Sequence, residues 1–298
     1  MFKKILVPLD GSKIAEAVIP FASEIASRSG AELLFVTAVQ HVGVWDATLS
    51  LQVLKRESEI AADYLATVER DVAGDGQKVT TQVLDGDAAE AVLAAADEGG
   101  VDLIAISTHG RSGVSRWLFG SVATHILERA AVPLLVLRPK EGEDRGAPGP
   151  VVKNILVPLD GSEVAKSVLP VVEEFAKTMG ASLVLYHSVA PLSAYPGFES
   201  AGAAALGEAI EGMQWQAQEI LNRAAEEVKS HGVEATTVVS LGTAVDGVLS
   251  AADELDVDLI AIATHGRSGL GRAVLGSVAD GVVRRSADVP CLVIRPKG

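Results

Sequence analysis

Short apolar runs alternate with longer amphipathic ones along the whole chain. In the first half the runs Ile5–Leu9, Leu33–Val39, Val79–Leu84, Leu103–Ser107 and Leu134–Leu137 have the length and apolar character of strands. Between them, apolar residues recur at helical spacing over about Ile14–Arg28, Leu51–Val72, Ala88–Glu98 and Ser121–Arg129. Strands that alternate with helices predict right-handed crossovers, and so a parallel sheet with helices on both faces.

The second half repeats this order, in places letter for letter. ILVPLDGS at Ile5–Ser12 recurs at Ile155–Ser162, and DLIAI at Asp102–Ile106 recurs at Asp258–Ile262. THGRSG follows both DLIAI runs, at Thr108–Gly113 and Thr264–Gly269, and GSVA follows at Gly120–Ala123 and Gly276–Ala279. PLLVLRPK (Pro133–Lys140) returns as PCLVIRPK (Pro290–Lys297). Ile5 maps to Ile155 but Asp102 to Asp258, so the offset grows from 150 to 156 and the second half carries a net insertion, expected around Tyr195–Gly207. That period is far too long for a solenoid and marks a duplicated domain. Between the copies, EGEDRGAPGP (Glu141–Pro150) is charged and then Gly/Pro-rich, as a linker would be. The expected organisation is a domain over 1–140, a linker over 141–150 and a second domain over 151–298. Each domain is read as α/β, a five-stranded parallel sheet of the flavodoxin-like or Rossmann-like kind.

Composition agrees and narrows the function. A chain of 298 residues has room for two domains, and 48% hydrophobic residues with few aromatics suit buried strands under Ala-rich helices. The sequence has no run of 18 uncharged apolar residues, so no membrane span is expected. The start MFKKILVPLDGS lacks the pattern of a signal peptide, and a cytoplasmic location is expected. A net charge of −14, from 39 acidic and 25 basic residues, argues against a nucleic-acid partner. Cys291 lies in the strand-like run PCLVIRP and reads as a buried, inert thiol; no Cys/His cluster has zinc spacing.

Parallel sheets of this kind bind ligands beyond the carboxyl ends of their strands, where the strand order reverses. The stretches just after the first and fourth strands are PLDGS and STHGRSG, which are among those that recur. In STHGRSGVSRWLFGSVA, Gly110, Gly113 and Gly120 surround a loop that leaves a strand and enters a helix. Free N–H groups at that helix start favour an anion, and glycine lets a phosphate approach the backbone. Ser121 can add its hydroxyl, while Arg111 and Arg116, with Arg267 and Arg272, make the loop locally basic.

This is not a Walker A loop, since Arg272-Ala273 stands where Lys-Ser/Thr would be, nor is there a GxGxxG after the first strand. Asp10 and Asp160 stand at the ends of first strands, where a carboxylate can meet a ribose or a phosphate-bound Mg2+. Ser12 suits the cap of the following helix. His109 and His265 read as turn residues that bond the backbone, because no Ser-His-Asp order surrounds them. His41, His125, His187 and His231 have no repeated context, and Trp45, Trp117 and Trp215 are expected to pack.

With these residues in hand, both halves resemble the universal stress protein family. Its nucleotide signature, Gly-x2-Gly-x9-Gly-Ser/Thr, is matched by Gly110 and Gly120-Ser121, and by Gly266 and Gly276-Ser277. The first signature glycine is replaced by Ser107 in one half and Ala263 in the other. The resemblance implies that Pro8 and Asp10, with Pro158 and Asp160, contact adenine and ribose, and that the backbone near Ala38 and Ser188 reads the adenine edge. It implies that Gly110, Gly120, Ser121 and Val122, with Gly266, Gly276, Ser277 and Val278, hold phosphates. The loop residues His109, Arg111, Gly113, His265, Arg267 and Gly269 are counted with these sites. The ligand implied is ATP or AMP, with Mg2+ as its companion. The resemblance further implies pairing of the two domains through PLLVLRP and PCLVIRP as a pseudo-dimer, with room for a further homodimer, which would remove exposed sheet edges. The expected activity is regulatory nucleotide binding in a stress response, not catalysis beyond weak hydrolysis. The alternative is a slow Mg-dependent ATPase or nucleotide-dependent transferase at the same site, and a third reading is an interaction module without nucleotide.

Overall fold

Ile5, Leu6 and Val7 are inaccessible to solvent, so β1 (Lys4–Pro8) is covered on both faces. A strand so placed is an unbroken apolar run and requires helices above and below it. The computed structural model describes residues 2–40, 47–108, 120–139, 149–191, 203–264, 275–286 and 288–296. The chain divides into two units, Met1–Pro150 and Val151–Gly298.

In the first unit β1 is followed by α1 (Lys13–Glu16), α2 (Ile19–Ser29), β2 (Glu32–Val39), α3 (Ala47–Val72) and β3 (Val79–Asp85). Then come α4 (Ala88–Glu98), β4 (Leu103–Ser107), α5 (Ser121–Arg129) and β5 (Leu134–Leu137). The strands are all parallel in the order β3-β2-β1-β4-β5. Of the two orders expected, this is the Rossmann-like one. The chain winds outward from β1 to β3, then crosses back over β1 to β4 and β5. Right-handed crossovers place α2 and α3 on one face, and α4 and α5 together on the other. The ends of β1 and β4 lie side by side where the winding reverses.

The second unit repeats the plan with β6 (Asn154–Pro158), α6 (Glu163–Lys166), α7 (Leu169–Met179), β7 (Ser182–Val189) and α8 (Ala203–Ser230). It continues with β8 (Ala235–Leu241), α9 (Ala244–Glu254), β9 (Leu259–Ala263), α10 (Ser277–Arg285) and β10 (Cys291–Ile294). Its parallel order is β8-β7-β6-β9-β10. Cys291 is buried in β10, as its apolar neighbours suggested. At the edge of the sheet away from the strand carboxyl ends, Asp258 Oδ2 accepts from Lys153 N (2.7 Å) and Asn154 N (2.9 Å). Asp102 does the same for Lys3 and Lys4. The repeated Asp before each IAI run thus locks two strand starts together.

Three details depart from the sequence pattern. The expected helix over Ile14–Arg28 is two helices, because Pro20 has no N–H to give to the carbonyl one turn before it. Pro170 divides α6 from α7 in the same way. The apolar spacing runs through both breaks, so it does not reveal them. Secondly, α3 begins at Ala47, earlier than Leu51. Thirdly, Trp215 does not pack: it is 67% exposed on the outer side of α8. Trp45, Trp117 and His41 lie outside the described residues, as do positions 141–148 of the linker.

The halves also pack differently. A Cβ at Gly247 in α9 would land on the Tyr186 hydroxyl and 3.0 Å from Ser188 Oγ. The register puts Val36 of the first unit where Tyr186 stands in the second, and Ala91 matches Gly247 at the offset of 156. Gly247→Ala is therefore expected to destabilise the second unit by about 1–3 kcal/mol through overpacking. Adding Tyr186→Val should restore most of that loss. Urea unfolding of the single and double variants checks this, and equal stability of Gly247→Ala and the parent would refute the packing described.

Candidate functional site

The site is assembled from two strand ends and one helix start. At the end of β6, Leu159 N donates to Tyr186 O (2.8 Å) and extends the ladder by one bond. Gly161 then takes φ +82°, a left-handed turn that explains its glycine. Asp160 Oδ1 accepts from Ser162 N (2.9 Å) and Ser162 Oγ (2.6 Å), while Ser162 Oγ accepts from Ala165 N (3.1 Å) to cap α6. In the first unit Gly11 has φ +79°, Asp10 Oδ1 accepts from Ser12 N (2.9 Å) and Ser12 caps α1. The serine is thus the cap, as expected, and the aspartate shapes the turn at the strand end.

At the end of β9 the buried Thr264 donates its N–H to Ile294 O (2.9 Å) and accepts at its carbonyl from Gly276 N (2.6 Å). That bond holds Gly276 against Thr264, and α10 starts beside the end of β9. Its first helical bond runs from Asp280 N to Gly276 O at 2.8 Å. No side chain among the described residues caps this start, so Ser277, Val278 and Ala279 precede the helical ladder with N–H groups that it does not use. The helices α6 and α9 are capped by Ser162 and Thr243. The contrast repeats in the first unit: Ser12 and Asp87 cap α1 and α4, whereas α5 starts at Gly120 with no side-chain cap. Gly120 has φ −59°, and a Cβ there would meet nothing within 4 Å among the described residues. Neither backbone strain nor packing within the described structure calls for that glycine. An uncapped helix start favours an anion.

In the second unit these parts enclose a cavity of about 300 Å3. Pro158, Asp160, Ser188, Ala263, Gly276, Ser277 and Val278, all marked by the sequence, line it together. Tyr186, Thr264, Ala244 and Val248 also line it. Ala244 and Val248 went unmarked because apolar positions on a helix read as core. Two contacts hold α9 against α10. Arg285 donates to Asp246 at 2.5 Å, and Gly281 gives Val245 close approach. The hydrogen bond from the Thr243 hydroxyl, then the Arg285 guanidinium, keeps the Asp246 carboxyl below the usual range.

The first unit places Pro8 and Asp10 after β1, Ala38 on β2, Ser107 at the end of β4, and Gly120, Ser121 and Val122 at the start of α5. These are the matching positions of the same topology. Ser107 Oγ is buried there without a hydrogen-bond partner among the described residues. Such a group is unusual in a finished interior. His125 joins Arg129 on Glu90 and ties α5 to α4, and His231 pairs with Glu173 at 2.8 Å, so both have structural partners. His109, Gly110, Arg111 and Gly113, with His265, Gly266, Arg267 and Gly269, lie outside the described residues.

The sequence model of the universal stress protein family matches residues 1–138 and 152–295. The chain belongs to the universal stress protein family. It is a tandem member. A universal stress protein of Methanocaldococcus jannaschii is 30% identical over 151 residues, 48% of this chain and 86% of the relative. One of Bacillus subtilis is 30% identical over 153 residues, 46% of this chain and 100% of the relative. The crystal structure of a universal stress protein from Archaeoglobus fulgidus shares the fold over 99% of this chain and 98% of its own, with a TM-score of 0.72 at 19% identity. A putative universal stress protein from Pseudomonas aeruginosa gives a TM-score of 0.66 at 18% identity, over 99% and 94% of the two chains. No helix among the described residues is long and apolar enough to cross a membrane.

If the α5 start is left uncapped for a ligand, a capping side chain should stabilise the free protein. Gly120→Asp is expected to raise stability by about 0.5 kcal/mol, from the cap and the helix dipole. Thermal unfolding without nucleotide checks this, and a lower midpoint would mean that Gly120 serves the fold.

Proposed function

We propose that each half of this universal stress protein binds one adenine nucleotide, ATP or AMP, and that the chain acts as a cytoplasmic regulator in a stress response. The observation that carries this reading is the uncapped start of α10 opening into the cavity, with Asp160 at its edge. The phosphates bind the N–H groups of Ser277, Val278 and Ala279, with the Ser277 hydroxyl beside them. In the sheet β7 and β9 flank β6, so their ends stand roughly 10 Å apart, two strand spacings. That distance suits a nucleoside laid across Pro158 and Asp160, its base against Ala244 and Val248. The first half offers the same frame, and the buried Ser107 hydroxyl gains a partner when a ligand fills it.

Binding is favoured over rapid turnover because Asp160 already accepts two hydrogen bonds from Ser162 and serves the turn. A general base must instead be free to face a water. Mg2+ brought by the nucleotide would find Asp160, or Asp10, as its carboxylate. With so few protein oxygens in reach, its other ligands would be phosphate and water.

Calorimetry with ATP should show two equivalents bound per chain. Gly120→Val with Gly276→Val is expected to lower affinity at least a hundredfold, about 2.7 kcal/mol, while circular dichroism stays unchanged. Undiminished affinity would refute the phosphate placement. Rapid hydrolysis that disappears in Asp10→Ala with Asp160→Ala would overturn the regulatory reading in favour of an enzyme at the same site.

A further inference from the structure

One wall of the second cavity carries hydroxyls that the first half lacks. Tyr186 and Ser188 are two apart on β7, so their side chains share one face of the sheet. That face is covered by α9, since a Cβ at Gly247 would touch both side chains. Ala244 and Val248 of the same helix line the cavity with Ser188, so the Ser188 side chain is on the cavity's side of the strand. The Tyr186 hydroxyl bonds Ser240 Oγ on β8, and Ser188 donates its hydroxyl to Gly242 O at 2.9 Å. At the matching register positions the first half has Val36, Ala38 and Leu84, with Ala91 in place of Gly247. None of these carries a polar side-chain atom.

Because the Ser188 proton is directed to Gly242, its Oγ is left as an acceptor in a residue of the cavity wall. Lone pairs call for an N–H donor. The end of the cavity away from α10 receives the base, and adenine carries an exocyclic amino group where hypoxanthine carries a carbonyl. We propose that Ser188 is a specificity-determining residue, accepting a hydrogen bond from the base amino group at the second site. The two sites of one chain then differ: the second selects an amino-bearing purine, and the first, with Ala38, is more permissive. The Tyr186 hydroxyl is paired with Ser240 Oγ, which leaves Ser188 as the hydroxyl of this β7 face that can accept from the base. This inference rests on the nucleotide reading above.

The test measures ATP and inosine triphosphate affinities by calorimetry in two full-length backgrounds. Gly120→Val reports on the second site and Gly276→Val on the first. The ATP preference at the second site should exceed that at the first by about tenfold, the value of one hydrogen bond. Ser188→Ala should lower ATP affinity there by about that factor and leave inosine triphosphate affinity unchanged, whereas a merely structural role would weaken both. Ala38→Ser should move the first site towards the second. Equal preference at both sites, or a preference that survives Ser188→Ala, overturns the proposal while leaving nucleotide binding intact. No binding of either nucleotide overturns the nucleotide reading and this assignment with it.

Discussion

The burial of β1 and β6 on both faces is the constraint from which the rest follows. A strand without a solvent face needs a helical layer on each side, and right-handed crossovers supply two layers only if the winding reverses direction. That reversal leaves the ends of β6 and β9 adjacent, with no crossing connection between them on that edge. The crevice is thus a product of the topology. The same residues that fill the core, Ile155, Leu156 and Val157, dictate where a ligand can enter.

Within that crevice, the chain treats its helix starts unequally. A serine, threonine or aspartate closes the first turn of α1, α4, α6 and α9. At α5 and α10 a glycine stands instead, and no side chain among the described residues closes the turn. A cap worth a few tenths of a kcal/mol or more is forgone at the two places where an anion would replace it. The Asp246–Arg285 contact links α9 to α10 beside the cavity of the second half.

Much of this was legible in the chain itself. Short apolar runs located the five strands of the first half to within a residue, because buried strands admit little else. The duplication marked PLDGS and GSVA, and the structure places them side by side where the sheet reverses. Other features were hidden for physical reasons. Pro20 breaks a helix whose apolar spacing continues across it, so pattern alone sees one element. Val248 looks like any core valine until α9 is laid beside β7. The pairing of Tyr186 with Gly247 is a relation across 61 positions that only packing brings together. Trp215 followed the general tendency of large aromatics to bury, yet stands on the outer side of a long helix.

The central claim is that the open backbone donors of α5 and α10 hold the phosphates. Amide hydrogen exchange with and without ATP tests it at the atoms concerned. The account predicts slowed exchange at Ser121, Val122 and Ala123 and at Ser277, Val278 and Ala279 when ATP is added. Unchanged exchange at these six amides, with protection appearing at another surface, would contradict it.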